Sequence, residues 1–166
     1  MIATIGYERS ELEDFIGTLQ RAEVEVLVDI RERAQSRRKG FSKTALAQRL
    51  EKAGISYVHI RELGDPKPGR EAARRGDMVS FKRIFNEVLK TEAAKKAMLK
   101  LRQLSQDNNI CLMCYERNHK ECHRKIVSDR LETIMGTKTR HLGVQQIEPI
   151  SKRGRRMLHT SESAAA

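Results

Sequence analysis

Val24-Glu25-Val26-Leu27-Val28-Asp29-Ile30-Arg31 decides the fold. Its Val and Ile side chains suit an extended, pleated backbone, so Val24 to Ile30 is expected to be a strand. Upstream, Ile2 to Ile5 is a shorter apolar run ended by Gly6 and is expected to be the first strand. Between the two, Leu12, Phe15, Ile16 and Leu19 recur at helical spacing as far as about Arg21. Ser10, with Glu13 three residues later, has the pattern of a capping box at that helix's start.

Downstream, Ser42 is expected to cap a helix through Leu46, Leu50 and Ala53 that Gly54 stops. Ile55 to Ile60 is a third strand. Arg61 to Asp77 carries Gly64, Pro66, Pro68, Gly69 and Gly76 and is expected to be a long loop. Met78, Phe81, Ile84, Phe85 and Val88 mark one amphipathic helix, and Ala93 to Leu104 a second. Ile110 to Cys114 is a fourth strand. A turn near Asn118 leads into a helix bearing Ile126, Val127, Leu131 and Ile134, ended by Gly136, and Thr139 to Leu142 is a fifth strand. Strands alternating with helices imply an α/β, Rossmann-like, three-layer domain with a mainly parallel sheet of about five strands. The expected domain is 1–145, and 146–166 is expected to be a flexible basic tail.

In a parallel sheet the strands end on one edge, and ligands bind beyond that edge. The residues that follow the strands there are Gly6-Tyr7, Asp29-Ile30-Arg31, Arg61-Glu62 and Cys114-Tyr115-Glu116-Arg117. All four segments carry polar, charged or glycine residues where the topology places a site.

Charge points to the same edge. The chain has 166 residues and a formal net charge of +11. Arg31 to Lys43 nets +5, Arg61 to Gly76 nets +2 and Lys152 to Arg156 nets +4, which accounts for the whole excess. Charge concentrated this way favours a phosphate-bearing partner, a nucleotide or nucleic acid, over a merely solvated surface. No run is long and apolar enough to span a bilayer, and the N-terminus shows no signal-peptide pattern. The odd count of three cysteines argues against a disulfide framework, so reducing cytoplasm is the expected compartment.

Individual residues carry competing readings. Gly6 allows close backbone approach to a ligand or simply makes a turn. Asp29 and Arg31, two apart at a strand end, either pair with each other or divide a ligand between them, Asp29 taking a hydroxyl and Arg31 a phosphate. Arg37 and Arg38 stand in the basic loop, Ser42 opens the helix behind it, and Phe41 either stacks on a base or anchors the loop in the core. Glu116 is the leading catalytic carboxylate, as nucleophile or general base, with a counter-ion role to Arg31, Arg117 and Arg124 as the alternative. Cys122-His123-Arg124 opens the last helix and offers a thiolate, an acid–base imidazole and a guanidinium. Cys114, Cys122, His119 and His123 contain zinc-binding residue types. The Cys-x7-Cys-His spacing matches no common zinc pattern, so no metal is expected and the sequence requires no cofactor. Cys111 and Cys114 have Cys-x-x-Cys spacing, but strand alternation would splay them.

Several of these segments together resemble the bacterial and archaeal family named domain of unknown function 488. The matching pieces are Thr4-Ile5-Gly6-Tyr7-Glu8, Leu27-Val28-Asp29-Ile30-Arg31 and Ser36-Arg37-Arg38-Lys39-Gly40-Phe41-Ser42-Lys43. Then come Tyr57-Val58-His59-Ile60, Glu62-Leu63-Gly64, Cys114-Tyr115-Glu116-Arg117 and Cys122-His123-Arg124. They span about Ile2 to Leu142 in the family's order. This chain has Asn118-His119-Lys120 where relatives often carry an Asp/Asn-Pro turn, and Asp65 where they often carry a glycine. The resemblance implies the fold and the site but no activity.

Three functions remain open at this stage. The leading expectation is an enzyme acting on a nucleotide or nucleic acid through glycosidic or phosphoester chemistry. The others are a non-catalytic nucleic-acid-binding module and a thiol-based redox or sensor protein. The sequence leaves the oligomeric state open.

Overall fold

Along the fourth strand, Ile110 and Leu112 face one hydrophobic cluster while Cys111 and Met113 face another. That period of two, with every position buried, is the mark of a central strand covered on both sides. A computed structural model of the protein, describing residues 1–147, places this strand in the middle of a single sheet. The strands are β1 (Ile2–Gly6), β2 (Val26–Asp29), β3 (Ser56–His59), β4 (Ile110–Cys114) and β5 (Thr139–Leu142), in the order β3-β2-β4-β1-β5. All pairings are parallel.

Helices α1 (Leu12–Arg21) and α2 (Lys43–Lys52) cover one face through Phe15, Leu19, Leu46 and Leu50. Helices α4 (Met78–Lys90), α5 (Glu92–Asp107) and α6 (His123–Met135) cover the other through Phe85, Leu89, Leu101, Val127 and Leu131. Helix α3 (Lys67–Arg74) packs on α4 near the C-terminal sheet edge. The α/β, three-layer, Rossmann-like expectation holds, and the sheet is parallel throughout.

Three local expectations change. The residue before α1 is Glu11 rather than Ser10, whose hydroxyl donates to the Glu8 carbonyl, so no capping box forms. Ser42 does precede α2, but its hydroxyl donates to the Ser36 carbonyl and accepts from the Ser36 amide, so it pins the basic loop instead of capping the helix. The stretch 61–77 is not one loop. It holds a one-turn 3₁₀ helix (Arg61–Leu63) and then α3, with Pro68 in the first turn, where a missing N–H costs nothing.

The chain beyond β5 stays tied to the domain as far as Ile147, whose amide donates to Asp14, while the Gln145 amide donates to Thr18. The expected basic tail, including Lys152 to Arg156, lies outside the described residues. No helix among the described residues is long and apolar enough to cross a membrane.

Candidate functional site

The C-terminal ends of β1, β2 and β4 open into one cavity of about 740 Å³. That is within the range of about 300–1,000 Å³ for sites that enclose small molecules. Each strand contributes its own corner.

At the end of β2, Asp29 is fully buried and Arg31 nearly so. The Arg31 Nε and Nη2 donate to the two Asp29 carboxylate oxygens at 2.9 and 2.6 Å, a bidentate pair. Tyr57 Oη donates to Asp29 Oδ2 at 2.6 Å, and Arg31 Nη1 donates to Tyr7 Oη at 2.8 Å. Burial opposes the Arg31 charge, but Asp29 more than compensates and raises the guanidinium pKa above its usual value. Burial and the Asp29 charge together push the Tyr57 phenol up as well. Asp29 thus has its oxygens committed beneath the cavity, and Arg31 reaches the cavity already neutralised.

At the end of β1, Gly6 leaves no room for a ligand. A Cβ there would fall on the Glu116 carbonyl oxygen, so glycine is required for two backbones to meet. Tyr7 is buried, stacks on Phe41 at 4.4 Å between ring centroids, and borders the cavity with its hydroxyl held by Arg31.

The corner after β4 is different. Cys114 Sγ donates to Glu116 Oε2 at 3.0 Å, and both residues line the cavity. His123, first residue of α6, lies behind them. Its Nε2 is 2.9 Å from the Ile30 carbonyl oxygen, which can only accept, so Nε2 carries the proton. Its Nδ1 then faces two sulfurs, Cys114 Sγ at 3.6 Å and Cys122 Sγ at 3.8 Å. Burial pushes the Glu116 carboxyl up to about 7, helped by the charge of Cys122. Burial works against a charged His123, yet Cys122 raises it to about 9. Burial likewise opposes ionisation of Cys122, but the neighbouring Cys114 thiol and His123 outweigh it and hold Cys122 well below the usual thiol range. Cys114 is driven up, first by burial and then by Cys122 and Glu116.

Six arginines line the cavity: Arg31, Arg33, Arg37, Arg38, Arg70 and Arg74. Three have carboxylate partners: Arg31 has Asp29, Arg38 sits 3.6 Å from Glu11, and Arg70 pairs with Glu32. Arg33, Arg37 and Arg74 are exposed and make no ion pair among the described residues. Asp65 also faces the cavity, with Oδ1 buried and without a hydrogen-bond partner among the described residues. Burial raises its pKa to about 6, against the opposing pull of His123 and Arg70. Gly69 in α3 is packed so closely on Asp65 that a side chain there would strike the carboxylate.

Tyr7, Arg31, Arg37, Arg38, Cys114, Glu116 and His123 therefore meet at one cavity, as the sequence predicts. Cys122 lies just behind it, in contact with His123. Seven predicted contacts fall elsewhere: Gly6 is packed on the Glu116 carbonyl and Asp29 is buried beneath the cavity, as described above, and five others lie in the core or outside the wall. Phe41 is in the core against Tyr7 and Phe15. Ser42 is taken up by Ser36. Glu62 sits exposed on the 3₁₀ turn and Arg117 is exposed beyond the cavity wall. Arg124 is buried, with Nη1 donating to the Glu116 carbonyl and Nη2 to the Arg117 carbonyl at 3.0 Å, so it fixes the loop that presents Glu116. Sequence reasoning missed Asp65, Arg70 and Arg74, because it took α3 for a loop. The i,i+4 spacing of Arg70 and Arg74 behind a proline-marked helix start was the available signal. Tyr115, which sequence reasoning named only as part of the segment after the fourth strand and gave no role, is half exposed at the cavity and edge-on to Tyr7 at 5.3 Å.

Comparison with known proteins matches residues 11–131 to one family model, described as domain of unknown function DUF488. No curated protein and no solved structure matches the chain.

Proposed function

The chain belongs to the DUF488 family, and from that premise we propose that it is an enzyme acting on a nucleotide or nucleic-acid terminus held in the arginine-lined cavity. One observation carries this reading. Arg33, Arg37 and Arg74, which have no carboxylate partner among the described residues, line the same cavity as Glu116. Guanidinium groups grip phosphate oxygens in bidentate fashion, and three of them suit a phosphorylated ligand. The half-exposed Tyr115 ring supplies a face on which a base can stack. A half-open cavity of this volume suits a nucleotide-sized group better than a long duplex, which an extended basic stripe would serve.

Glu116 is held through its backbone, since Arg124 ties down the carbonyls of Glu116 and Arg117. A carboxylate fixed in that way suits glycosidic or phosphoester hydrolysis. Water adds its oxygen to the reacting carbon or phosphorus, its proton passes to Glu116, and the leaving group departs with a proton returned to it. Catalysis is tested by incubating the protein with nucleoside mono-, di- and triphosphates and short oligonucleotides, followed by phosphorus NMR and chromatography. Product formation that Glu116→Gln abolishes supports the reading. Binding without turnover of any of these substrates overturns the catalytic part and leaves a nucleic-acid or nucleotide-binding module.

A further inference from the structure

Cys114, Cys122 and His123 come from the end of one strand and the start of one helix, yet their Sγ, Sγ and Nδ1 atoms all lie within 4.8 Å of one another. We propose that these three atoms form a binding site for a thiophilic divalent cation, zinc above all, with the fourth coordination position turned toward the cavity. The site stands whether or not the cavity binds a phosphorylated ligand.

The distances fit such an ion. Zinc–sulfur bonds of about 2.3 Å and zinc–nitrogen bonds of about 2.0–2.1 Å, set at tetrahedral angles, put sulfur and nitrogen ligands about 3.6 Å apart. His123 Nδ1 stands 3.6 Å from one sulfur and 3.8 Å from the other. The imidazole is also oriented for the task. Its Nε2 proton is committed to the Ile30 carbonyl, which leaves Nδ1 as the atom offered to the sulfurs. Metal-binding histidines ordinarily fix their second nitrogen in this way.

The arrangement has one open side. Cys122 closes the back of the cluster, whereas Cys114 and His123 border the cavity together with Glu116. Glu116 Oε2 is 3.0 Å from Cys114 Sγ, so the carboxylate or a cavity water can complete the tetrahedron. Three protein ligands and an accessible fourth position are the layout of zinc sites that do chemistry rather than merely hold a fold. The spacing in sequence hid this, because the seven residues between the cysteines include a 3₁₀ turn (His119–Glu121) that folds Cys122 back beside Cys114. Cys111 offers an internal contrast, since it is just as buried but packs into the other core and belongs to no such cluster among the described residues.

The test uses the whole chain, reduced and stripped of metal, titrated with cobalt(II) and then zinc(II). The expected result is one equivalent of cobalt with the intense visible bands of tetrahedral coordination and a near-ultraviolet thiolate-to-cobalt band, all displaced by zinc. Cys122→Ser and His123→Gln should each weaken the site at least about 100-fold, the upper range seen even for outer partners of such ions. Cys111→Ser should leave it intact. Wild-type protein that shows no thiolate-to-cobalt band overturns the proposal, and this readout does not depend on any variant folding. So does a band that survives in Cys122→Ser or vanishes in a folded Cys111→Ser.

Discussion

The strand ends of β2 and β4 lie side by side in the sheet, and each carries an acidic residue near the same cavity. They do opposite things. At β2, Asp29 is answered by Arg31 in three hydrogen bonds, two from the guanidinium and one from the amide, and by Tyr57 in a fourth, and the charge is closed off. At β4, Glu116 has a thiol for a partner, its neighbours are two sulfurs and an imidazole, and the Arg124 guanidinium donates to the Glu116 and Arg117 backbone carbonyls instead of the carboxylate. The first corner is a buried ion pair that sets the shape of the floor. The second leaves its titratable groups free to exchange protons or take a ligand. A charged residue at the end of a parallel strand therefore says where a site is, and only its partners say whether it does chemistry.

The contrast can be broken at its closed corner first. Asp29→Ala would leave the Arg31 guanidinium buried and unpaired, at an expected cost of about 3–5 kcal/mol in urea unfolding. Asp29→Asn, which keeps one acceptor, should cost less. Next in size is Gly6→Ala. The new methyl meets the Glu116 carbonyl, a backbone atom that cannot rotate away, so a loss of about 1–3 kcal/mol is expected together with displacement of the Glu116 loop.

Asp65→Asn should have the opposite sign and should depend on pH. Burial raises the folded pKa of Asp65 from 3.8 to about 6, so the carboxyl favours the folded state below about pH 4, and that benefit is lost as pH rises through about 6. Asn does not titrate. Thermal unfolding should show little difference between the two proteins at pH 4 and a variant more stable by on the order of 2 kcal/mol at pH 8. Equal melting temperatures at both pH values would mean that the carboxylate pays no burial penalty. The smallest effect belongs to the open rim. Arg37→Ala touches no ion pair among the described residues and should change stability by no more than about 0.5 kcal/mol, while weakening any phosphate-bearing ligand.

Most of the fold was legible because it rests on local signals. Val24 to Ile30 and Ile110 to Cys114 declare buried strands by composition, and the α1, α4 and α6 faces declare themselves by period. The site was legible to the extent that topology places strand ends together, which delivered Arg31, Cys114 and Glu116, and that the last helix starts at the same edge, which delivered His123. Side-chain direction was not legible. Nothing local shows that Arg124 turns inward to hold two carbonyls, that Phe41 joins the Tyr7 stack, or that a 3₁₀ turn carries Glu62 away from the cavity. Asp65, Arg70 and Arg74 were missed because prolines and glycines that read as a loop instead start and fit a short helix. The Cys122–Cys114 approach depends on a turn of three residues, and sequence spacing is blind to it.

The most direct test of the central claim is calorimetric titration of the protein with a nucleoside diphosphate at low and moderate salt, beside the Arg37→Ala/Arg74→Ala double variant. Hydrogen bonds to charged groups contribute about 1.5–3 kcal/mol each, so binding at a single site should weaken about 100-fold or more in the variant and fall with salt in the wild type. Affinity that is absent, or that the double variant leaves unchanged, contradicts the account.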